Sequence, residues 1–176
     1  MKFLIIDHFF GQDIEALRYV ASEYEFRVVS KNLLLRIARK YFPTKVFSSL
    51  LGEAYAYPEY ADARQRYAKE ARKFLHSLYC TFPFDAVIVP SDTIFYFRAL
   101  AEAAHEMGIP FIVLQKETAI SPYTMTEDAR VIGKALPFIG DIMLACSDNH
   151  KQFWLNAGAK AEKIIVTGQP RFDFYH

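Results

Sequence analysis

The sequence predicts a three-layer α/β domain on a mostly parallel sheet of six or seven strands. Three observations carry this. Six short runs rich in Ile, Val, Leu and Phe recur along the chain, and none alternates strictly between polar and apolar residues. Such runs suit strands buried on both faces, as in parallel sheets. Between them lie segments with apolar residues at three- and four-residue steps, the period of amphipathic helices. Finally, the 176 residues, 52% hydrophobic and 23% charged, are enough for a substantial core and exclude disorder as the main state.

The strands are expected at 2–6, 25–30, 85–89, 110–114, 141–146 and 163–167. A helix over 12–23 places Ile14, Leu17, Val20 and Ala21 on one side. A longer one over 59–79 repeats Tyr60, Tyr67, Ala71, Phe74, Leu75 and Leu78. A third, over 94–107, ends at Gly108, where a C-terminal glycine belongs, with Pro110 after it. A fourth, over 148–157, starts after Ser147, a good N-cap, and stops at Gly158. Strand–helix alternation with right-handed crossovers gives a sheet whose ligands bind beyond the strands' carboxyl ends, where strand order reverses.

Several functions are disfavoured at once. Twenty-one Lys and Arg against twenty Asp and Glu leave a charge of +1, unlike a dedicated nucleic-acid binder. The two cysteines, Cys80 and Cys146, lie far apart with no His/Cys cluster, so no metal site or disulfide scaffold is expected. Both are expected to be packing thiols in a reducing, cytoplasmic setting. The amino terminus reads as a buried strand and not a signal peptide. No Gly-rich dinucleotide turn, P-loop, GxSxG or HExxH occurs.

The loops at the expected strand tips hold the candidate chemistry. The first carries Asp7 and His8, either a base and polar-ligand pair or a turn cap and an exposed imidazole. The loop after 85–89 carries Ser91, Asp92 and Thr93. All three suit an N-cap, and Asp92 is more readily a cap than a base, although a helix start here also suits a hydroxyl-rich or anionic ligand. The loop after 110–114 carries Gln115, Lys116 and Glu117. Lys116 suits a phosphate or sugar carboxylate, and Glu117 either accepts a proton or pairs with Lys116 at the surface.

Residues 31–51 contain Lys31, Arg36, Arg39, Lys40 and Lys45 with no acid, interleaved with Leu, Ile, Phe and Tyr. Such a segment either lies on an anionic membrane surface, through Lys31, Arg36, Arg39 and Lys40, or packs a helix pair on the sheet with its basic side in water.

Residues 155–173 read LNAGAKAEKIIVTGQPRFD, preceded by DIMLACSDNHKQFW. This stretch resembles the end of the amino-terminal Rossmann-like domain of GT-B glycosyltransferases of the bacterial capsule and surface-polysaccharide type. Similar pieces occur in Kdo transferases, CDP-glycerol glycerophosphotransferases and UDP-N-acetylglucosamine 2-epimerases. The likeness covers roughly 85–176, with DAVIVPSD and GIPFIVLQKE in the style of the central strands. It implies half of a two-domain fold, one Rossmann-like unit over 1–176 with an interdomain linker beginning at 168–176. It further implies a glycan or glycolipid acceptor on this half and a nucleotide-sugar donor on a second Rossmann-like domain, in cis or in trans. On that reading the base comes from Glu117, Asp92, Asp7 or His8, and Ser91, Lys116, Gln115 and Arg171 bind acceptor. No cofactor, metal or nucleic acid is expected, and the enzyme is cytoplasmic or peripheral on the inner membrane face. The alternatives are a nucleotide-sugar 2-epimerase, a glycerophosphotransferase, and a non-catalytic half that recruits a partner to the membrane.

Overall fold

The computed structural model describes residues 1–8, 10–48, 53–116 and 120–175. In chain order its elements are β1 (Lys2–Asp7), α1 (Gly11–Val20), β2 (Glu25–Ser30), α2 (Lys31–Ala38), α3 (Thr44–Ser48), α4 (Ala61–Thr81), β3 (Ala86–Val89), α5 (Phe95–Glu106), β4 (Phe111–Leu114), α6 (Met125–Ala135), β5 (Ile142–Ala145), α7 (Asp148–Asn156) and β6 (Ile164–Val166). A 3₁₀ segment, Pro170–Tyr175, follows. Each apolar run expected to be a strand is one: β1 runs one residue longer, β2 matches end to end, and β3 to β6 are shorter by one or two residues.

The sheet has six strands in the order β2-β1-β3-β4-β5-β6, and every pairing is parallel. Its register sorts side chains onto two faces. Leu4, Ile6, Val87, Val89, Val113 and Met143 look toward α2, α4, α5, α6 and α7, within one large core that includes the wholly buried Tyr67, Phe97 and Leu100. Ile5, Ile88 and Leu114 look the other way, into a smaller core with Phe10 and Ile14 beside α1. Three layers result, as the sequence predicts.

Helix ends follow local chemistry. Gly108 (φ 67°) and Gly158 (φ 87°) take the left-handed conformation that lets a chain leave a helix without a Cβ clash. The Ser147 hydroxyl accepts from the His150 amide and caps α7. Trp154 is buried and anchors α7 to the core.

The sequence reading did not contain α6. Its acidic first turn (Glu127, Asp128) and Lys134 near its end suit a helix, but Gly133 lies inside it. That glycine is a packing requirement, since a Cβ there would collide with the Ala157 carbonyl at the end of α7. The 31–48 segment folds as the helix pair α2 and α3. Leu34, Ala38, Phe42 and Val46 are spent on the large core, so its apolar side is internal and its basic residues are not backed by an exposed apolar stripe. Residues 49–51 of the same stretch lie outside the described residues. Among the described residues no helix is long and apolar enough to cross a membrane.

Candidate functional site at the strand tips

The strand order reverses between β1 and β3. From β1 the chain steps outward to β2, and from β3 it steps the opposite way to β4, β5 and β6. The crevice beyond the carboxyl ends of these two neighbours is where an open α/β sheet seats ligands. Asp7 is the last residue of β1, and its register partner Ser30 brings Lys31, the first residue of α2, alongside. Lys116 lies past the end of β4, with its amide directed to the Pro90 carbonyl at 3.4 Å.

His8 is the best-held group in the crevice. Its Nδ1 lies 2.7 Å from the Tyr96 hydroxyl in the first turn of α5, and its ring meets those of Tyr96 and Phe97 edge-on. Tyr96 is fixed in turn, because the buried Tyr67 hydroxyl of α4 donates to the Tyr96 carbonyl at 2.8 Å. Burial, with the charges of Lys31 and Lys116, pulls the His8 pKa down to about 4. The imidazole is therefore neutral at pH 7. Burial raises the Tyr96 phenol, which stays protonated. The phenol and Nδ1 share one hydrogen bond, whose direction follows the tautomer of the neutral ring. Lys31 is lowered by burial and by Lys116, against the opposing pull of the Asp7 carboxylate. Asp7, His8, Lys31 and Lys116 thus form one electrostatically coupled group.

Three acceptors at the tips are buried with no hydrogen-bond partner among the described residues: Asp7 Oδ1, Gln115 Oε1 and Gln169 Oε1. The two glutamines are tied together through Cys146, whose thiol donates to the Gln115 main-chain carbonyl at 2.9 Å and accepts from Gln169 Nε2 at 3.2 Å. Buried acceptors of this kind take donors from water or from a ligand.

Other expected site residues are placed differently. Asp92 does not cap α5, which starts at Phe95 behind Ile94 with no side-chain cap. Its side chain is wholly buried, and Oδ2 accepts from the amides of Ile139 (2.7 Å) and Gly140 (3.4 Å). Two further residues of loop, Thr93 and Ile94, separate Asp92 from the helix. Burial raises its pKa against those hydrogen bonds. Asp92 is a strut of the large core and is not presented to the crevice.

Ser91 makes a local turn with Thr93: its hydroxyl lies 2.9 Å from the Thr93 hydroxyl and accepts from the Thr93 amide at 3.2 Å. Asp7 does not cap α1, whose N-cap position is Phe10 with no side-chain bond. Arg171 is engaged by Asp13, through Nε to Oδ1 at 2.9 Å and Nη2 to Oδ2, a pair that docks Pro170–Tyr175 onto α1. The stretch expected to begin a linker is thus held against α1, and Arg171 serves as a clamp. Lys31 belongs to the crevice, apart from the exposed Arg36, Arg39 and Lys40. Cys80 is exposed beside His76 and is not a packing thiol, and Cys146 is the bridge just described. Glu117 lies outside the described residues.

The sequence reading missed Tyr67, Tyr96, Asp13 and Gln169. Tyr96 and Tyr67 fall on apolar helix faces, where nothing local separates a core ring from a polar anchor. The QPRF stretch containing Gln169 was noticed only through its resemblance.

No protein-family model matches the chain, and no curated protein matches it in sequence. Solved structures do match in fold. The UDP-GlcNAc 2-epimerase from Methanocaldococcus jannaschii superposes with TM-score 0.55 at 14% identity over 98% of this chain and 47% of its own. The UDP-N-acetylglucosamine 2-epimerase from Rickettsia bellii gives 0.55 at 14% over 99% and 47%. The Neisseria meningitidis UDP-GlcNAc 2-epimerase, bound to UDP-GlcNAc, gives 0.52 at 18% over 98% and 47%. The chain spans just under half the length of these proteins. What they share with it is the Rossmann-like half-domain fold.

Proposed function

We propose that this chain is one half of a two-domain enzyme that processes a sugar nucleotide, with the sugar seated at the β1–β3 crevice. The observation that carries the reading is the convergence of Asp7, His8, Lys31 and Lys116 at the point where strand order reverses. The fold shared with UDP-GlcNAc 2-epimerases supports epimerisation over glycosyl transfer. Inverting a sugar carbon through proton transfer requires a base that removes the hydrogen and a donor that returns one from the other side. Asp7 offers the carboxylate. His8, neutral and aimed by Tyr96, offers its imidazole to a polar group of the sugar. Lys31 and Lys116 stabilise negative charge on the reacting sugar or its phosphate. Asp7 Oδ1 and the two glutamine oxygens suit the hydroxyl and amide donors of an N-acetylated sugar.

The stretch 155–173 favours a second reading, in which the crevice holds the acceptor of a glycosyltransferase and Asp7 takes the acceptor's proton. One experiment separates the two. The ¹⁵N-labelled chain is titrated with UDP-GlcNAc, and the sugar is followed by NMR in D₂O. Shifts at His8 and Tyr96, weakened at least tenfold in Asp7→Asn and Lys116→Ala, are the expected result. Deuterium appearing on the sugar carbon supports epimerisation, and transfer to an added glycan without exchange supports the second reading. UDP-GlcNAc binding that leaves the His8 and Tyr96 signals unmoved overturns both.

A further inference from the structure

A second cleft of about 540 Å³ opens on the helical face, where the first turns of α4 and α5 meet the end of α6. Its volume is in the range of small-molecule sites. Arg64 and Arg98 line it together with Glu102 and Gln65, and alanines at 68 and 135 leave the space open. Both guanidinium groups are held by neutral backbone carbonyls. Arg64 Nη1 donates to the carbonyls of Tyr55 (2.5 Å) and Tyr57 (2.8 Å). Arg98 donates through Nη1 to the Asp92 carbonyl (3.3 Å) and through Nη2 to that of Pro137 (3.0 Å).

The lining charges do not neutralise one another by contact. Among the described residues Arg64, Arg98 and Glu102 make no salt bridge, although Asp92 and Glu102 act on Arg98 at longer range. The Glu102 carboxylate and the Gln65 amide have no hydrogen-bond partner among the described residues. The cleft therefore presents fixed cationic forks and uncommitted polar groups within one lining. Guanidinium forks match the geometry of carboxylates and phosphates, and carboxylates accept from sugar hydroxyls. We propose that this cleft binds a small hydroxylated oxyanion, a sugar carboxylate or a sugar phosphate, with Arg64 and Arg98 on the anionic group and Glu102 and Gln65 on hydroxyls. This assignment is independent of the strand-tip reading.

The test follows the arginine Nε–H signals of the labelled chain during titration with glucuronate, glucose 1-phosphate, inorganic phosphate and uncharged glucose. Saturable shifts at Arg64 and Arg98 with a charged sugar, and none with glucose at the same concentration, are expected. The first two ligands show whether carboxylate or phosphate is preferred. Arg64→Met is expected to weaken binding at least tenfold. Glu102→Gln, at an exposed position that leaves the core untouched, is expected to weaken the charged sugar at least threefold while leaving inorganic phosphate unchanged. The proposal is overturned if the arginine signals do not move with either charged sugar. It is also overturned if glucose moves them equally, if inorganic phosphate binds as tightly as glucose 1-phosphate, or if Glu102→Gln binds the charged sugar like the parent chain.

Discussion

One face of the sheet carries α2, α4, α5, α6 and α7, while the other carries α1 and the docked Pro170–Tyr175 segment. The difference follows from strand order and handedness. The step from β1 to β2 runs one way and every later step along the sheet runs the other, so right-handed crossovers put α1 on one face and the remaining helices on the opposite one. The thick face is held chiefly by apolar packing, with the buried Asp92 and Tyr67 hydrogen bonds inside it. The thin face has a small apolar core and relies in addition on the buried Asp13–Arg171 pair. Near its far edge Ile165 and Phe172 remain 49% and 55% exposed.

This contrast can be broken by mutation. Phe97→Ala, in the thick layer, is expected to cost about 3–5 kcal/mol in denaturant unfolding, the usual range for a fully buried phenylalanine. A loss below about 1 kcal/mol would mean the thick face is not the main source of stability. Asp13→Ala strands the Arg171 guanidinium and is expected to cost about 2–3 kcal/mol, somewhat less than for a fully enclosed pair. The double variant Asp13→Ala/Arg171→Met is expected to recover at least half of that loss. A double variant as unstable as the single one would show that the clamp's charge is not what docks the segment.

The smallest expected effect lies at the crevice between the faces. His8 titrates near 6.5 when unfolded and near 4 when folded. The unfolded chain therefore binds the extra proton first. The stability this neutral imidazole contributes is full above pH 6.5 and is lost as pH falls toward 4. Discounted for its partial exposure, the loss is about 1–2 kcal/mol. His8→Asn is expected to flatten the stability–pH curve across that window. An unchanged slope would place the acid sensitivity elsewhere.

The sequence carried the strands and the tip of β1 well. Uninterrupted runs such as FLII and AVIV have few alternatives to a doubly covered strand, and Asp7-His8 must follow the first of them. The failures have physical causes. Asp92 looked like a cap because capping is judged locally, whereas its real partners, Ile139 and Gly140, lie 47 and 48 residues away. Arg171 looked like a ligand contact because its partner Asp13 is 158 residues distant. The internal Gly133 hid α6, since a close helix–helix approach looks like a break until the neighbouring helix is known.

The Tyr67–Tyr96–His8 chain has one further consequence. The aim of the imidazole is inherited from two helices, since its phenol anchor rides on α5 and that residue's carbonyl is pinned from α4. A small roll of α4 against α5 would swing the ring like the hand of a gauge. Substitutions deep in that seam, remote from any ligand, would then retune the chemistry at the strand tips while leaving every side chain there unaltered.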